Sequence, residues 1–218
     1  QDTPDITDYK GSSEATLIYD ADGELLTKLF KENRVYVSLE QMPEDLKNAI
    51  VAIEDTKFYV HHGIDFWGIG RAMINNIMKG DLLDQGASTI TQQLARNAFL
   101  TLDKNYLRKI QEAYLAIQFE RLYTKSEILE MYLNEIFLGH SAYGVETASL
   151  QYFGKSVEDL TLAESALIAG LPQSPNNYTP LRYPERAIRR RNVVLDRMYD
   201  LEYITEAEMK KAKHAELN

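Results

Sequence analysis

The sequence predicts a mainly α protein with a small β element near its N-terminus. Three observations carry that reading. From residue 43 onward apolar side chains recur at i, i+3, i+4 and i+7 spacing, the stripe of a helix against a core. Threonine-to-glutamate capping patterns and Gly/Pro stops punctuate that region. Strand-like alternation is confined to the first forty residues. With 44% hydrophobic residues in 218, the chain can bury a sizeable core and reads as one domain.

Residues 1–14 are polar and turn-rich and read as a linker or tail. Residues 15–40 form the β element. "LIYDADGELLTKLF" places Asp22-Gly23 between two apolar runs, a hairpin signal, and "RVYVSL" continues the alternation. Residues 41–218 are the helical part. Pro43 suits a helix N1, Glu44 and Asp45 suit its first turn, and Leu46, Ala49, Ile50 and Ile53 make its stripe. Further helices are expected at about 65–79, 89–98, 104–123, 125–135, 142–152, 161–170, 184–201 and 205–215 by the same periodicity. Thr161 with Glu164, and Thr205 with Glu208, have capping-box spacing.

Composition excludes several classes. The net charge of -9 makes nucleic acid an unsuitable partner, and an anionic ligand needs a local basic patch. Without cysteine there is no disulfide framework and no thiolate chemistry. No apolar run reaches the roughly 18 residues of a membrane span. The chain opens on Gln1 without a signal peptide, which reads as a processed protein or an excised piece.

Four stretches concentrate chemistry. "AIEDTKFYVHHGID" packs two acids and two imidazoles together. Glu54 ends a helix beside its apolar stripe, whereas Asp55 points about 100° away. Glu54 is the preferred base, because partial burial lifts a carboxylate toward useful basicity. His61 and His62 lack the HEXXH spacing of a zinc site, and a loop hydrogen bond from His61 beside Gly63 is the better reading. In "KNYLRKIQEAYLAIQFERLY", Leu107, Ile110, Tyr114 and Ile117 form a stripe, with Glu112 opposite it and flanked by Arg108 and Lys109. That is either a surface ion pair or an anion or metal–pyrophosphate site. "GASTITQQLARN" is either a plain polar helix or a face that hydrogen-bonds a sugar or phosphate. The arginine run from Arg182 to Arg197 is either a solvated face or a contact for lipid headgroups or a phosphate. "SPN" at 174–176 stands without Ser-x-x-Lys or Lys-Thr-Gly and reads as chance.

In order, these stretches resemble the peptidoglycan glycosyltransferases of family 51, which occur as monofunctional enzymes and as the N-terminal domain of class A penicillin-binding proteins. "EDTKFYVHHGID", "GASTITQQLARN", "RKIQEAYLAIQFE" and "KSEILEMYLNEIFLG" resemble the family's first four motifs, and the likeness covers roughly residues 15–215. "LIYDADGELLTKLF" is similar to the bifunctional members, and the transpeptidase motifs are missing. Ala87 stands where a second glycine is frequent, and Arg96 where lysine is frequent.

The resemblance implies a lysozyme-like helical fold with a lobe that touches the membrane. It implies polymerisation of lipid II into β-1,4 glycan strands with inversion, releasing undecaprenyl pyrophosphate, with the growing chain as donor. By the same resemblance Glu54 is the base on the acceptor 4-hydroxyl. Glu112 is the second carboxylate, acting with cations or with a divalent ion (Mg2+ or Mn2+) that it would help hold. Arg96, Lys104, Arg108 and Lys109 fall at phosphate-binding positions. Arg71, Ser88, Thr89, Gln93 and Asn97 match polar substrate contacts. Asp55, Phe58 and His61 belong to the substrate site and mainly shape the cleft. No organic cofactor is implied. The partners implied are lipid II, the glycan chain, membrane lipid, and a transpeptidase domain or cell-wall machinery outside this chain. The place implied is the outer face of the bacterial cytoplasmic membrane, with an anchor N-terminal to this chain, and moenomycin would occupy the donor side. Around Trp67, Ile77, Met78, Leu82 and Leu83 a core stripe is the default expectation, with Leu82 and Leu83 exposed to lipid as the alternative. A lytic or lysozyme-like hydrolase is disfavoured because a neutral glycan leaving group needs no cations. A non-catalytic scaffold is the other rival.

Overall fold

The computed structural model describes residues 16–19, 25–29, 33–68, 70, 88–99 and 106–216. Strands β1 (Thr16–Tyr19) and β2 (Leu25–Leu29) pair antiparallel, Thr16 opposite Leu29, as the Asp-Gly signal requires. The alternation of "RVYVSL" does not become a long strand. Only β3 (Asn33–Arg34) pairs, in parallel with β4 (Ala142–Tyr143). Beyond it, side chains take over the backbone groups. Val35 N–H donates to Thr147 Oγ1 at 3.1 Å, and Asn134 exchanges two bonds with the Val37 backbone, at 3.0 and 2.9 Å. An extended segment without a neighbouring strand satisfies its backbone this way.

The helices are α1 (Glu44–Glu54), α2 (Ile90–Phe99), α3 (Tyr106–Leu122), α4 (Lys125–Glu135), α5 (Val145–Phe153), α6 (Leu162–Gly170), α7 (Pro175–Tyr178), α8 (Pro184–Asp200) and α9 (Glu206–His214). Most starts follow the sequence signals. Thr161 and Thr205 close capping boxes with Glu164 and Glu208, and Thr124 does the same with Glu127. The helix expected from 142 begins at Val145 instead, because Ala142 and Tyr143 are used by β4. Residues 66–68 and 70 are helical, and the rest of the helix expected at 65–79 lies outside the described residues, as do residues 1–14, Ile77, Met78, Leu82 and Leu83. Trp67 and Phe66 are exposed, so Trp67 is not part of a core stripe.

Two packed groups meet at the end of α1. Helix α6 is the centre of one, with α1 and α8 laid against it and α9 behind. Its small buried residues Ala163, Ala166 and Ala169 allow close approach, and at Gly170 an added Cβ would lie 2.8 Å from Arg190 Cγ. The other group is α2 against α3 and α4.

Helix α3 corrects one expectation. Leu107, Ile110 and Tyr114 of the anticipated core stripe are 71%, 67% and 49% exposed. The buried face is Glu112, Leu115, Ala116 and Phe119, itself an i, i+3, i+4, i+7 set that begins with a carboxylate. Both faces of this helix are apolar, so periodicity alone could not orient it. The pairing of Glu112 with two cations pays for its position inside.

Candidate active site

Glu54 is the last residue of α1 and points to the junction of the two packed groups. Its residue surface is only partly buried, but its carboxyl group is enclosed, and burial pushes it above the ordinary glutamate range. Among the described residues that carboxylate is held by a neutral group: Gln93 Nε2 donates to Oε2 at 2.8 Å. The charges of Arg190 and Arg96 also reach it, and with Gln93 they pull the pKa back down without cancelling the effect of burial. Gln93 is itself held, because Tyr132 Oη donates to its Oε1 at 3.2 Å. The ionised Glu54 carboxylate, which can only accept, sets which way the amide faces. Burial lifts the Tyr132 phenol well above its usual range, so it stays a donor.

Asp55, one residue on, is occupied by the fold. Its Oδ2 accepts from His61 Nε2 at 2.8 Å and from the Ile90 backbone N–H at 3.0 Å. The second bond caps the N-terminus of α2 from a distant part of the chain. His61 Nδ1 accepts from Gly63 N–H at 3.1 Å, which leaves Nε2 as the protonated nitrogen facing Asp55. Gly63 has φ +89°, and a Cβ there would stand 2.8 Å from the Ala116 carbonyl oxygen. Phe58 is fully buried, with Lys125 Nζ 4.6 Å from its ring centre. Asp55, Phe58 and His61 therefore frame the cleft rather than contact a ligand.

Glu112 is the second buried carboxylate, and its surroundings are different. Arg108 Nε lies 3.2 Å from Oε1, and Lys109 Nζ lies 2.6 Å from Oε2. Lys109 also donates to Ser88 Oγ at 2.8 Å and stays half exposed. Ser88 precedes α2 and Gln93 lies in its first turn, so one short stretch reaches both carboxylate centres, Glu54 directly and Glu112 through Lys109.

Thr89 departs from the expected role. It is 2% exposed, its hydroxyl donates to the Gly63 carbonyl at 2.6 Å and accepts from Gln92 N–H at 3.1 Å. Thr89 is a helix cap, closed to a ligand. Gln93 likewise faces Glu54 and Tyr132, so it fixes the Glu54 carboxylate. Ser88 is partly exposed through Lys109, Arg96 is partly buried near Glu54, and Asn97 is exposed. Arg71 and Lys104 lie outside the described residues.

Among the described residues the donor set for a resident divalent ion is incomplete. Such an ion takes six or more oxygens, and both oxygens of Glu112 face cations. Among the described residues no three His, Asp or Glu side chains converge on a metal position. The described residues alone do not complete a metal site around Glu112. Sequence reading also missed Tyr132 and the reach of Arg190 to Glu54, since both lie far along the chain from the residues they serve. Their one available signal was membership of "EMYLNE" and of the arginine run.

Comparison with known proteins bears on this geometry. A family model described as transglycosylase matches residues 22–199. The chain is 50% identical over 201 residues to penicillin-binding protein 1A of Escherichia coli, covering 92% of this chain and 24% of that protein. It is 45% identical over 191 residues to penicillin-binding protein 1F of Bacillus subtilis, covering 88% and 27%. A crystal structure of penicillin-binding protein 1A from Haemophilus influenzae aligns over 94% of this chain and 21% of that one, with a TM-score of 0.52 and 29% identity. The chain thus spans about a quarter of the length of the curated relatives it matches.

Proposed function

The chain belongs to the transglycosylase family, and on that premise we propose that it is a peptidoglycan glycosyltransferase. It polymerises lipid II into β-1,4 glycan strands for the bacterial cell wall. The observation that carries the reading is a pair of buried carboxylates with opposite surroundings. One, Glu54, is enclosed and held by a neutral amide, and the other, Glu112, is clamped between cations.

In the proposed reaction, Glu54 accepts the proton of the acceptor 4-hydroxyl. The resulting oxygen attacks the anomeric carbon of the growing chain from the face opposite the diphosphate. The C–O bond to the diphosphate breaks, the configuration inverts, and undecaprenyl pyrophosphate leaves with the bonding electrons. Arg96, Arg108 and Lys109 supply positive charge to that leaving group. Glu112 aims the last two. Arginine at 96 offers a bidentate grip that lysine lacks. A divalent ion, where used, arrives on the diphosphate of the substrate, and no step here runs through it.

The lipid-linked substrate places the reaction at the outer face of the cytoplasmic membrane. A transpeptidase domain and the membrane anchor are assigned to sequence outside these 218 residues. Among the described residues no helix is long and apolar enough to cross a membrane. Exposed Phe66, Trp67, Leu107 and Ile110 support contact with membrane lipid.

The test is polymerisation of lipid II in detergent by the wild type and Glu54→Gln. Polymer from the wild type alone supports the transferase and its base. Equal polymer from both moves the base elsewhere, and glycan cleavage without lipid II favours the hydrolase.

A further inference from the structure

Tyr132 lies in α4, which packs on α2, and it is fully buried. Ile128, Leu129 and Leu133 share its buried face and are apolar, so a phenylalanine ring would serve the packing there. The hydroxyl is the part that packing leaves unexplained. A buried phenol needs a hydrogen-bond partner. Among the described residues it has one, Gln93 Oε1 at 3.2 Å.

A primary amide has a donor end and an acceptor end. In Gln93 both are engaged: Nε2 donates to Glu54 Oε2 at 2.8 Å, and Oε1 accepts from Tyr132. The hydrogen bonds therefore run one way, from phenol to amide to carboxylate. An ionised Glu54 requires that order, because it can only accept. A protonated Glu54 does not, since it carries a hydrogen to give to Oε1 if the amide turns over. The turned amide would then offer Nε2 to Tyr132 Oη, and the phenol hydrogen would lose its acceptor inside the core. A buried donor left without a partner is costly, so the amide is held as it stands. Burial keeps the Tyr132 phenol well above its usual range, so that hydrogen is not shed.

The charges around Glu54 do not duplicate this control. Arg96 on α2, Arg190 on α8 and Asp55 at the end of α1 act on it through space. Turning the amide moves none of them.

We propose that Tyr132 is a positioning residue for Glu54: its hydroxyl locks the Gln93 amide with the donor end on the carboxylate, whether or not Glu54 holds a proton. Its bearing on catalysis rests on the transferase reading, in which Glu54 is the base. A proton taken from the acceptor hydroxyl then finds no acceptor on Gln93. Glu54 holds it loosely, and the ionised base is restored for the next addition.

A carboxyl 13C NMR titration of the whole chain, with the Glu54 signal assigned through Glu54→Gln, tests the lock without turnover. Tyr132→Phe keeps the ring and its packing. It frees the amide to accept from protonated Glu54, so Glu54 should titrate at higher pH than in the wild type. An unchanged or lower midpoint overturns the proposal. Placed on Gln93→Ala, the same substitution should move the midpoint no further. An equal shift with and without Gln93 shows that the effect does not pass through the amide, and the lock fails. In lipid II polymerisation, Tyr132→Phe should lower kcat about fivefold on the acid limb, with kcat on the alkaline plateau and KM each within about twofold. A deficit equal at every pH would reduce the hydroxyl to a packing role and overturn the proposal. Should the wild type fail to polymerise lipid II, the transferase reading falls, and the NMR titration still decides the lock.

Discussion

Glu54 and Glu112 are both buried glutamates at the same junction, yet they are prepared for opposite work. Glu54 meets a neutral amide and feels its cations from a distance, so burial dominates and its pKa rises. Glu112 meets two cations at 3.2 and 2.6 Å, so its charge is spent on holding them. Surroundings, not residue type, separate a proton acceptor from a scaffold for positive charge.

The largest expected effect breaks the first half of that contrast. Glu54→Gln should lower kcat about 10^3-fold while the fold is retained. Its stability should move the other way. A carboxylate whose folded pKa is raised contributes fully below the ordinary glutamate range and loses that contribution as pH rises through the raised value. At neutral pH the raised pKa opposes folding, so the variant should be the more stable of the two in a denaturant melt. A wild type as stable as the variant at pH 7 but less stable at pH 4 would reverse the sign.

Glu112→Gln breaks the second half. It removes the buried carboxylate that faces Arg108 and Lys109, so a stability loss of about 2 kcal/mol is expected, less than for a fully desolvated pair because Lys109 is half exposed. Activity should fall about 100-fold through poorer binding of the leaving diphosphate. A variant with wild-type kcat would show that Glu112 holds structure only.

Gln93→Ala sharpens the comparison. The lost bond favoured the ionised form of Glu54, so the acid limb of the pH–rate profile should move to higher pH. The deficit, about tenfold near neutrality, should shrink in alkali. A pH-independent deficit would mean that Gln93 acts on substrate. The smallest effect belongs to Thr89→Ala, which should cost about 1 kcal/mol as a lost cap and leave KM for lipid II unchanged. A raised KM would return Thr89 to the list of substrate contacts.

Much of this was legible in the residues. Caps at Thr161 and Thr205 placed helix starts, because a cap acts within four residues of itself. Helix geometry sets Glu54 and Asp55 about 100° apart, and the structure has Asp55 occupied by His61 and Ile90. Helix α3 was not legible. Its inward face begins with a glutamate and its outward face carries Leu107 and Ile110, so tertiary ion pairing decided what periodicity left balanced. Tyr132 was invisible for another reason. It serves a glutamine 39 residues away, and no local pattern encodes that distance.

Asp55 carries a mechanical consequence. Glu54 and Asp55 are neighbours, and so nearly are their partners, Gln93 and Ile90. Two bonds, at 2.8 and 3.0 Å, therefore join the end of α1 to the start of α2 like adjacent rungs of a ladder. One rung alone would permit the helices to swivel about it, whereas two remove that rotation. The base should lose its alignment in a single cooperative opening rather than by gradual wobble. Hydrogen exchange at the Ile90 amide then serves as a gauge of how often the site comes undone.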